Sequence, residues 1–253
     1  MPAALPYDAL VLAGGRSSRL GGVPKALLRA GGRTLLESTL AAVAGARRIA
    51  VAGPPDLAPV LARCPGSASL VREEPAFSGP AAAVGAGLSA LPPDSEWTLV
   101  LACDMPHVGL AVRSLLDAAA EQTAAAKQTA AAERTAPGAG AGGEAAAADE
   151  PPETPSDAPA GRGTAPTETG PEPQSLLAVD ADGYRQPLAA LYRTADLRAA
   201  VAHYGPGGLA NMSLKGLLAR VQYRGVVVPP MSTADVDTWA DAQSLGVSAG
   251  ELP

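Results

Sequence analysis

Short apolar runs alternate with stretches of helical character along most of the chain. Ala9 to Leu12 is an apolar run at strand length. Thr34-Leu-Leu-Glu37 has the form of a helix-capping box, with Thr34 at the N-cap and Glu37 three residues on, so a helix is predicted to about Ala44. Arg48 to Ala52 reads as a buried strand, Leu57 to Arg63 as a weak helix and Ser69 to Arg72 as a third strand. Gly79-Pro80 opens an Ala-rich helix to about Leu91, because proline fits the first helical position. Trp97 to Cys103 is almost continuously apolar, the pattern of a central parallel strand buried on both faces. Val108 to Ala120 is predicted helical. Strands alternating with helices in this way predict an α/β fold with a mostly parallel sheet.

The pattern stops at about Glu121. From 121 to 174 Ala, Thr, Pro, Gly and Glu dominate, and large apolar side chains are missing. Such a segment buries too little apolar surface to offset the entropy of ordering it, so it reads as a disordered insertion, with helix at its Ala-dense start. Closure entropy grows by only about 0.6 kcal/mol per doubling of loop length, so an otherwise compact domain tolerates it. Periodicity resumes with Ser175 to Val179 and Gln186 to Tyr192, paired strands around the turn signal Asp180-Ala-Asp-Gly183. Helices over Thr194 to His203 and Leu209 to Arg220, a strand over Val221 to Val228, and a last helix entered through Asp235 to Asp241 complete the chain. The expectation is one domain over 1–253 that the insertion interrupts.

Composition narrows the chemistry. Aromatic residues are only 3%, so the core must rest on Leu, Val and Ala. The net charge of −6 and pI of about 5.0 argue against a general nucleic-acid or anionic-membrane binder. Cys64 and Cys103 form no metal-type spacing and no disulfide framework, which fits a reducing cytoplasm. No apolar run has the roughly 18 residues of a membrane span, and the N-terminal apolar segment lacks a basic leader.

Against that acidic background the segment after the first strand is locally basic. Leu12-Ala-Gly-Gly15 leads through Arg16, Arg19 and Gly21-Gly22 to Lys25. Gly14 and Gly15 permit a backbone that passes close to a ligand, and backbone N–H groups in such loops form anion-binding nests. Arginine grips phosphate oxygens bidentately and lysine acts as a point charge. The spacing is neither that of a Walker A loop nor that of a dinucleotide-binding fingerprint. Asp104, in Leu101-Ala-Cys-Asp-Met-Pro106, stands at the carboxyl end of the predicted central strand, where ligands bind in open α/β sheets. A carboxylate there suits Mg²⁺, and equally caps a following helix. Asp235 and Asp237, two apart on an extended segment, point the same way or cap the last helix.

The loop L-A-G-G-x-x-x-R-x-G-G-x-x-K resembles the signature of nucleotidyltransferases that move a nucleoside monophosphate from a triphosphate to an acceptor phosphate. Leu12-Ala-Gly-Gly15 is most similar to the molybdenum cofactor guanylyltransferases (MobA); related cytidylyltransferases usually have L-A-A-G. Pro24 departs from the acidic residue that many members carry before the lysine. The resemblance implies a three-layer Rossmann-like nucleotidyltransferase fold and a Mg²⁺ ion held by Asp104 and Asp237. It implies nucleotide contacts from Leu12, Ala13, Gly14, Gly15, Arg16, Lys25, Glu73, Gly79 and Asp104, with Arg19, Lys25 and Asp104 acting on the reacting phosphates. Glu73 would accept from guanine N1 and N2, and Gln186 and Asp235 would lie toward the acceptor. The implied reaction transfers GMP from GTP to the phosphate of molybdopterin, loaded with molybdenum, and releases pyrophosphate; contact with molybdoenzymes or their maturation proteins would follow. A cytidylyltransferase, a nucleotidyltransferase for another phosphorylated acceptor, and a non-catalytic nucleotide-binding protein on the same fold are the alternatives.

Overall fold

The computed structural model describes residues 5–15, 17–64, 68–135, 174–205 and 207–249, the side chains of 132–135 excepted. In chain order its elements are β1 (Asp8–Leu12), β2 (Arg29–Ala30), β3 (Arg33–Thr34), α1 (Leu35–Ala42), β4 (Ile49–Ala52), α2 (Ala58–Leu61), β5 (Ala68–Val71), α3 (Pro80–Ser89) and β6 (Trp97–Ala102). There follow α4 (Val108–Thr135), β7 (Ser175–Val179), β8 (Arg185–Arg193), α5 (Thr194–Tyr204), α6 (Leu214–Leu217), β9 (Tyr223–Val227), α7 (Trp239–Ser244) and β10 (Val247–Ser248).

The main sheet has seven strands in the order β5-β4-β1-β6-β8-β7-β9. All neighbours are parallel except those of β8, which runs against both β6 and β7. The expectation of a mostly parallel sheet holds. The central strand β6 is buried as expected, with β1 parallel on one side and β8 antiparallel on the other. An apolar run reports burial on two faces, and burial is blind to strand direction.

Alternation along the strands divides the core in two. Ala9, Val11, Leu99 and Leu101 face one side, where Leu36, Leu40, Val108, Val112 and Leu115 of α1 and α4 cover them. Leu10 and Val100 face the other, against Val84 and Leu88 of α3 and Leu197 and Ala200 of α5. This gives helices on both faces of the sheet, the doubly wound arrangement. Gly87 lets α3 lie close to β1: a Cβ there would stand 2.1 Å from Leu10 Cδ1. Any larger residue would displace the buried Leu10 side chain on the strand that leads into the basic loop.

Two expectations change length. The helix predicted to end near Ala120 continues to Thr135, because Ala, Glu, Gln and Lys are strong helix formers even without an apolar stripe. Residues 136–173 of the proposed insertion lie outside those described. The helix expected over Leu209 to Arg220 is confined to α6 and a 3₁₀ turn at Leu218–Arg220. The chain divides into two compact units, Met1–Gln122 with Pro173–Pro253, and Thr123–Glu172. Within the first unit the Gln122 side chain joins the backbone of Gln174, accepting from its N–H at 3.1 Å and donating to its carbonyl at 3.4 Å. The points where the chain leaves and re-enters are therefore adjacent, so the excursion does not separate β6 from β7. No described helix is long and apolar enough to cross a membrane.

Absent from the sequence reading is a small sheet, β10-β2-β3, whose strands have two residues each. Strands this short carry no periodicity to detect. They matter because they tie the chain just after Lys25 to the C-terminal segment, over a third apolar cluster of Leu20, Leu28, Leu35, Val236, Ala242 and Val247.

The capping box at α1 forms as predicted. Thr34 Oγ1 accepts from Glu37 N–H at 3.1 Å and Glu37 Oε2 accepts from Thr34 N–H at 2.7 Å. The backbone hydrogen bond from Thr34 holds the Glu37 carboxyl below its ordinary range. Thr34→Ala is expected to cost about 1 kcal/mol in urea unfolding at neutral pH. The Glu37 contribution is complete above the unfolded-state carboxyl pKa and is lost as pH falls through the lower folded value, so wild type and Glu37→Gln should converge in stability under acid.

Candidate active site

The basic loop leaves the carboxyl end of β1 and is fixed at its start to the strands on either side. Ala13 N–H donates to Ala52 O of β4 at 2.8 Å, and Cys103 N–H donates to Leu12 O at 3.1 Å. Gly15 takes φ +131, a conformation closed to most residues, and the chain then runs through 3₁₀ turns at Ser18–Leu20 and Lys25–Leu27. Leu20 and Leu28, both fully buried, pin this excursion to the third apolar cluster. The loop is held by its leucines, while Arg19 and Lys25 turn from them to carboxylates.

Asp104 follows β6 at the topological switch point, where β1 has β4 on one side and β6 on the other. Its carbonyl accepts from Val236 N–H at 3.0 Å. Val236 itself is fully buried in the third cluster. Alternation along this extended segment then turns Asp235 and Asp237 away from the cluster, toward Asp104. Thr238 closes the segment by capping α7 in a second capping box with Asp241. Capping, the competing reading of this segment, is thus performed by Thr238, and the two aspartates are left for the site.

Carboxylate oxygens of Asp104, Asp235 and Asp237 lie within 4.8 Å of one another. Lys25 Nζ donates to Asp104 Oδ2 at 2.8 Å and to Asp237 Oδ1 at 2.5 Å. Arg19 Nη1 reaches the other Asp237 oxygen at 3.3 Å from an exposed position. Burial works to lower the Lys25 pKa, but the hydrogen bonds and charges of Asp104 and then Asp237 outweigh it, and the ammonium titrates above its ordinary value. Asp235 titrates above the ordinary carboxyl range, first from partial desolvation and then from the charges of Asp104 and Asp237. Converging carboxylates fit a hard divalent cation, which takes oxygen ligands. Beside them the Cys103 thiol is buried and pushed well up, which keeps it a small apolar residue with no nucleophilic role.

A cleft of about 300 Å³ opens next to this cluster, lined by Leu12, Gly14, Gly15, Lys25, Asp104, Glu73, Phe77, Gly79 and Pro80 among others. Its far wall is the segment between β5 and α3. Glu73 Oε1 accepts from Phe77 N–H at 3.0 Å, and the Arg72 guanidinium lies 5.3 Å from the Phe77 ring centroid. Phe77 stands half exposed at φ +63, a strained value for an aromatic residue and common at ligand sites. Gly79 precedes α3 with Pro80 at its first position, as the sequence predicts.

The structure therefore brings Leu12, Gly14, Gly15, Lys25, Glu73, Gly79 and Asp104 around one cleft, with Asp235 and Asp237 beside Asp104. Ala13 lines the adjoining recess with Gly53 and Arg72. Arg19 stands with the carboxylates and not among the residues lining the cleft. Arg16 lies outside the described residues. Gln186 is not brought to the cleft: its amide donates to Asp180 Oδ2 at 3.2 Å within the hairpin. A bulge between β7 and β8 resets the register there, and Leu188 lines the cleft instead. Phe77, Leu188 and Val236 were missed. Phe77, the one phenylalanine of the chain, was the detectable signal, since it sits between two of the singled-out positions.

The sequence profile of the MobA-like NTP transferase domain matches residues 9–222. No curated sequence is significantly similar to the chain. Solved structures share its fold: Rv0371c from Mycobacterium tuberculosis is 20% identical, with a TM-score of 0.58 over 96% of this chain and 98% of that one. The same protein in complex with manganese matches at 19% identity and TM-score 0.54, over 96% of this chain and 99% of that one. Molybdopterin-guanine dinucleotide biosynthesis protein A from Archaeoglobus fulgidus is 16% identical, with a TM-score of 0.55 over 94% of this chain and 96% of that one. A 2-C-methyl-D-erythritol 4-phosphate cytidylyltransferase from Thermus thermophilus is 20% identical, with a TM-score of 0.52 over 95% of this chain and 97% of that one.

Because Leu20 and Val236 share one cluster, the loop and the aspartate segment stand on the same support. Leu20→Ala should cost about 2–5 kcal/mol in urea unfolding, as a fully buried leucine exchanged for a cavity.

Proposed function

The chain belongs to the MobA-like NTP transferase domain family, and from that premise we propose that it transfers GMP from GTP to the terminal phosphate of molybdopterin. The single observation that carries the reading is the convergence of the glycine-rich basic loop with Asp104 and Asp237 at the carboxyl edge of the sheet. Donors suited to phosphate and carboxylates suited to a divalent cation meet there beside a cleft of nucleotide-subsite size. The 1–253 chain acts as one nucleotidyltransferase domain, with 121–174 as an insertion in it.

The loop backbone from Leu12 to Gly15 cradles the triphosphate. The purine lies toward Glu73, Phe77 and Gly79. Glu73 accepts from guanine N1–H and the exocyclic N2–H₂, a donor pair that cytosine lacks, and the Phe77 ring offers a stacking surface beside it. Asp104 and Asp237 would hold Mg²⁺, with Asp235 adjacent; the ion, when bound, neutralises phosphate charge and orients the α-phosphate. An oxygen of the acceptor phosphate bonds to the α-phosphorus while the bond from that phosphorus to the pyrophosphate oxygen breaks. Lys25 and Arg19 stabilise the charge that develops on the transferring and leaving phosphates. No general base is required, because a phosphate monoester is ionised at neutral pH. The acceptor approaches from the Asp235 side; Gln186, paired with Asp180, would have to change partner to join it.

The free thiols Cys64 and Cys103 agree with a cytoplasmic setting, where molybdoenzymes or their maturation proteins would receive the product.

The test is pyrophosphate release with Mg²⁺ and molybdenum-loaded molybdopterin, comparing GTP, CTP, ATP and UTP. Release with GTP alone is expected. Release with CTP alone would move the protein to the cytidylyl branch, and silence with all four would remove this acceptor. Lys25→Ala is expected to lower turnover by at least ~10²-fold, the scale of one lost electrostatic donor. Unchanged turnover in that variant would sink the role given to Lys25.

A further inference from the structure

The two cations expected on the phosphates are both engaged with carboxylates. Lys25 Nζ lies between Asp104 Oδ2 and Asp237 Oδ1, at 2.8 and 2.5 Å, and Arg19 occupies the second oxygen of Asp237. These are the oxygens that a divalent cation would take. Mg²⁺ sits about 2.0–2.1 Å from its oxygen ligands, so an ion bound by both carboxylates would need the space the ammonium fills. The Lys25 side chain is 21% exposed and that of Asp104 18%, so their pairing is largely enclosed, while Asp237 closes the contact from a half-exposed position.

We propose that Lys25 is the resident counter-ion of the aspartate cluster in the ligand-free protein, and that nucleotide phosphates draw it off to admit the metal. This rests on the reading of Asp104 and Asp237 as metal ligands. The hardware for such an exchange is present. The backbone at Lys25 is fixed by the preceding Pro24, by the 3₁₀ turn and by the buried Ala26. The lysine side chain is a flexible stem with a point charge, and the same residue lines the cleft beside Gly14 and Gly15. A swing of the head therefore exchanges two carboxylates for phosphate oxygens with no movement of the loop. The ammonium keeps the carboxylates neutralised until the triphosphate arrives. Metal and nucleotide then favour each other, and each tightens the other by the same factor.

The consequence is counter-intuitive for a ligand-binding lysine: removing it should improve binding of the metal alone. The experiment is Mn²⁺ titration of the full chain without nucleotide, read by the loss of free-ion EPR signal, for wild type, Lys25→Met and Arg19→Met. Lys25→Met should bind Mn²⁺ about tenfold or more tightly than wild type, within the usual range of site-to-site coupling. Arg19→Met, which removes an equal charge from an exposed single contact, should change the affinity far less. Unchanged or weaker Mn²⁺ binding by Lys25→Met overturns the proposal, as does an equal gain in both variants, which would report net charge alone. Lys25→Gln repeats the test should the methionine variant unfold. Calorimetric titration of GTP with Mn²⁺ into wild type separates the two readings. Absence of GTP binding would remove the nucleotide function while the metal titration still reports on Lys25. GTP binding with no Lys25→Met effect would remove only the exchange.

Discussion

One backbone hydrogen bond holds the site together: Val236 N–H to the carbonyl of Asp104, at 3.0 Å. It joins the end of the central strand to a segment more than a hundred residues further along. It is protected because the Val236 side chain is buried among Leu20, Leu28 and Leu35. Those leucines come from the basic loop and the start of α1. A single apolar cluster thus fixes the loop that carries Arg19 and Lys25, and the segment that carries Asp235 and Asp237. The aspartates meet Asp104 because the valine between them must face the other way.

The electrostatics follow from that clamp. Three carboxylates within 4.8 Å of one another repel, and the fold tolerates them because Lys25 and Arg19 are held against two of them. The rest of the cleft is a contrast in chemistry. Glycines and the α3 start line one part, while Glu73 and Phe77 face it from a segment whose conformation Glu73 itself fixes through the Phe77 N–H. Charge is concentrated at the switch point of the sheet, and shape is provided by the wall between β5 and α3.

The chain leaves and rejoins the first compact unit at adjacent points. It departs after Gln122 and returns at Gln174, and the two residues are hydrogen-bonded to each other. The strands on either side, β6 and the β7–β8 hairpin, lie in one sheet, with β8 directly against β6.

By itself the sequence determined what local chemistry controls. Apolar runs placed the strands, Thr34 and Glu37 placed the start of α1, and Pro80 placed the start of α3. The glycine-and-arginine spacing marked the loop, and Asp104 stood out because it ended the most apolar run. Only the tertiary structure decided the direction of β8, since burial on two faces is the same in parallel and antiparallel neighbours. It alone formed the two-residue strands of the small sheet, which are too short for any period to appear. It alone paired Lys25 with Asp104 and Asp237, because residues 79 and 212 positions apart meet through the packing of Leu20 and Val236, and no local pattern records that contact. Gln186 shows the same limit from the other side: its place in a hairpin was legible, but the bulge that turns Leu188 to the cleft is a property of the paired strands.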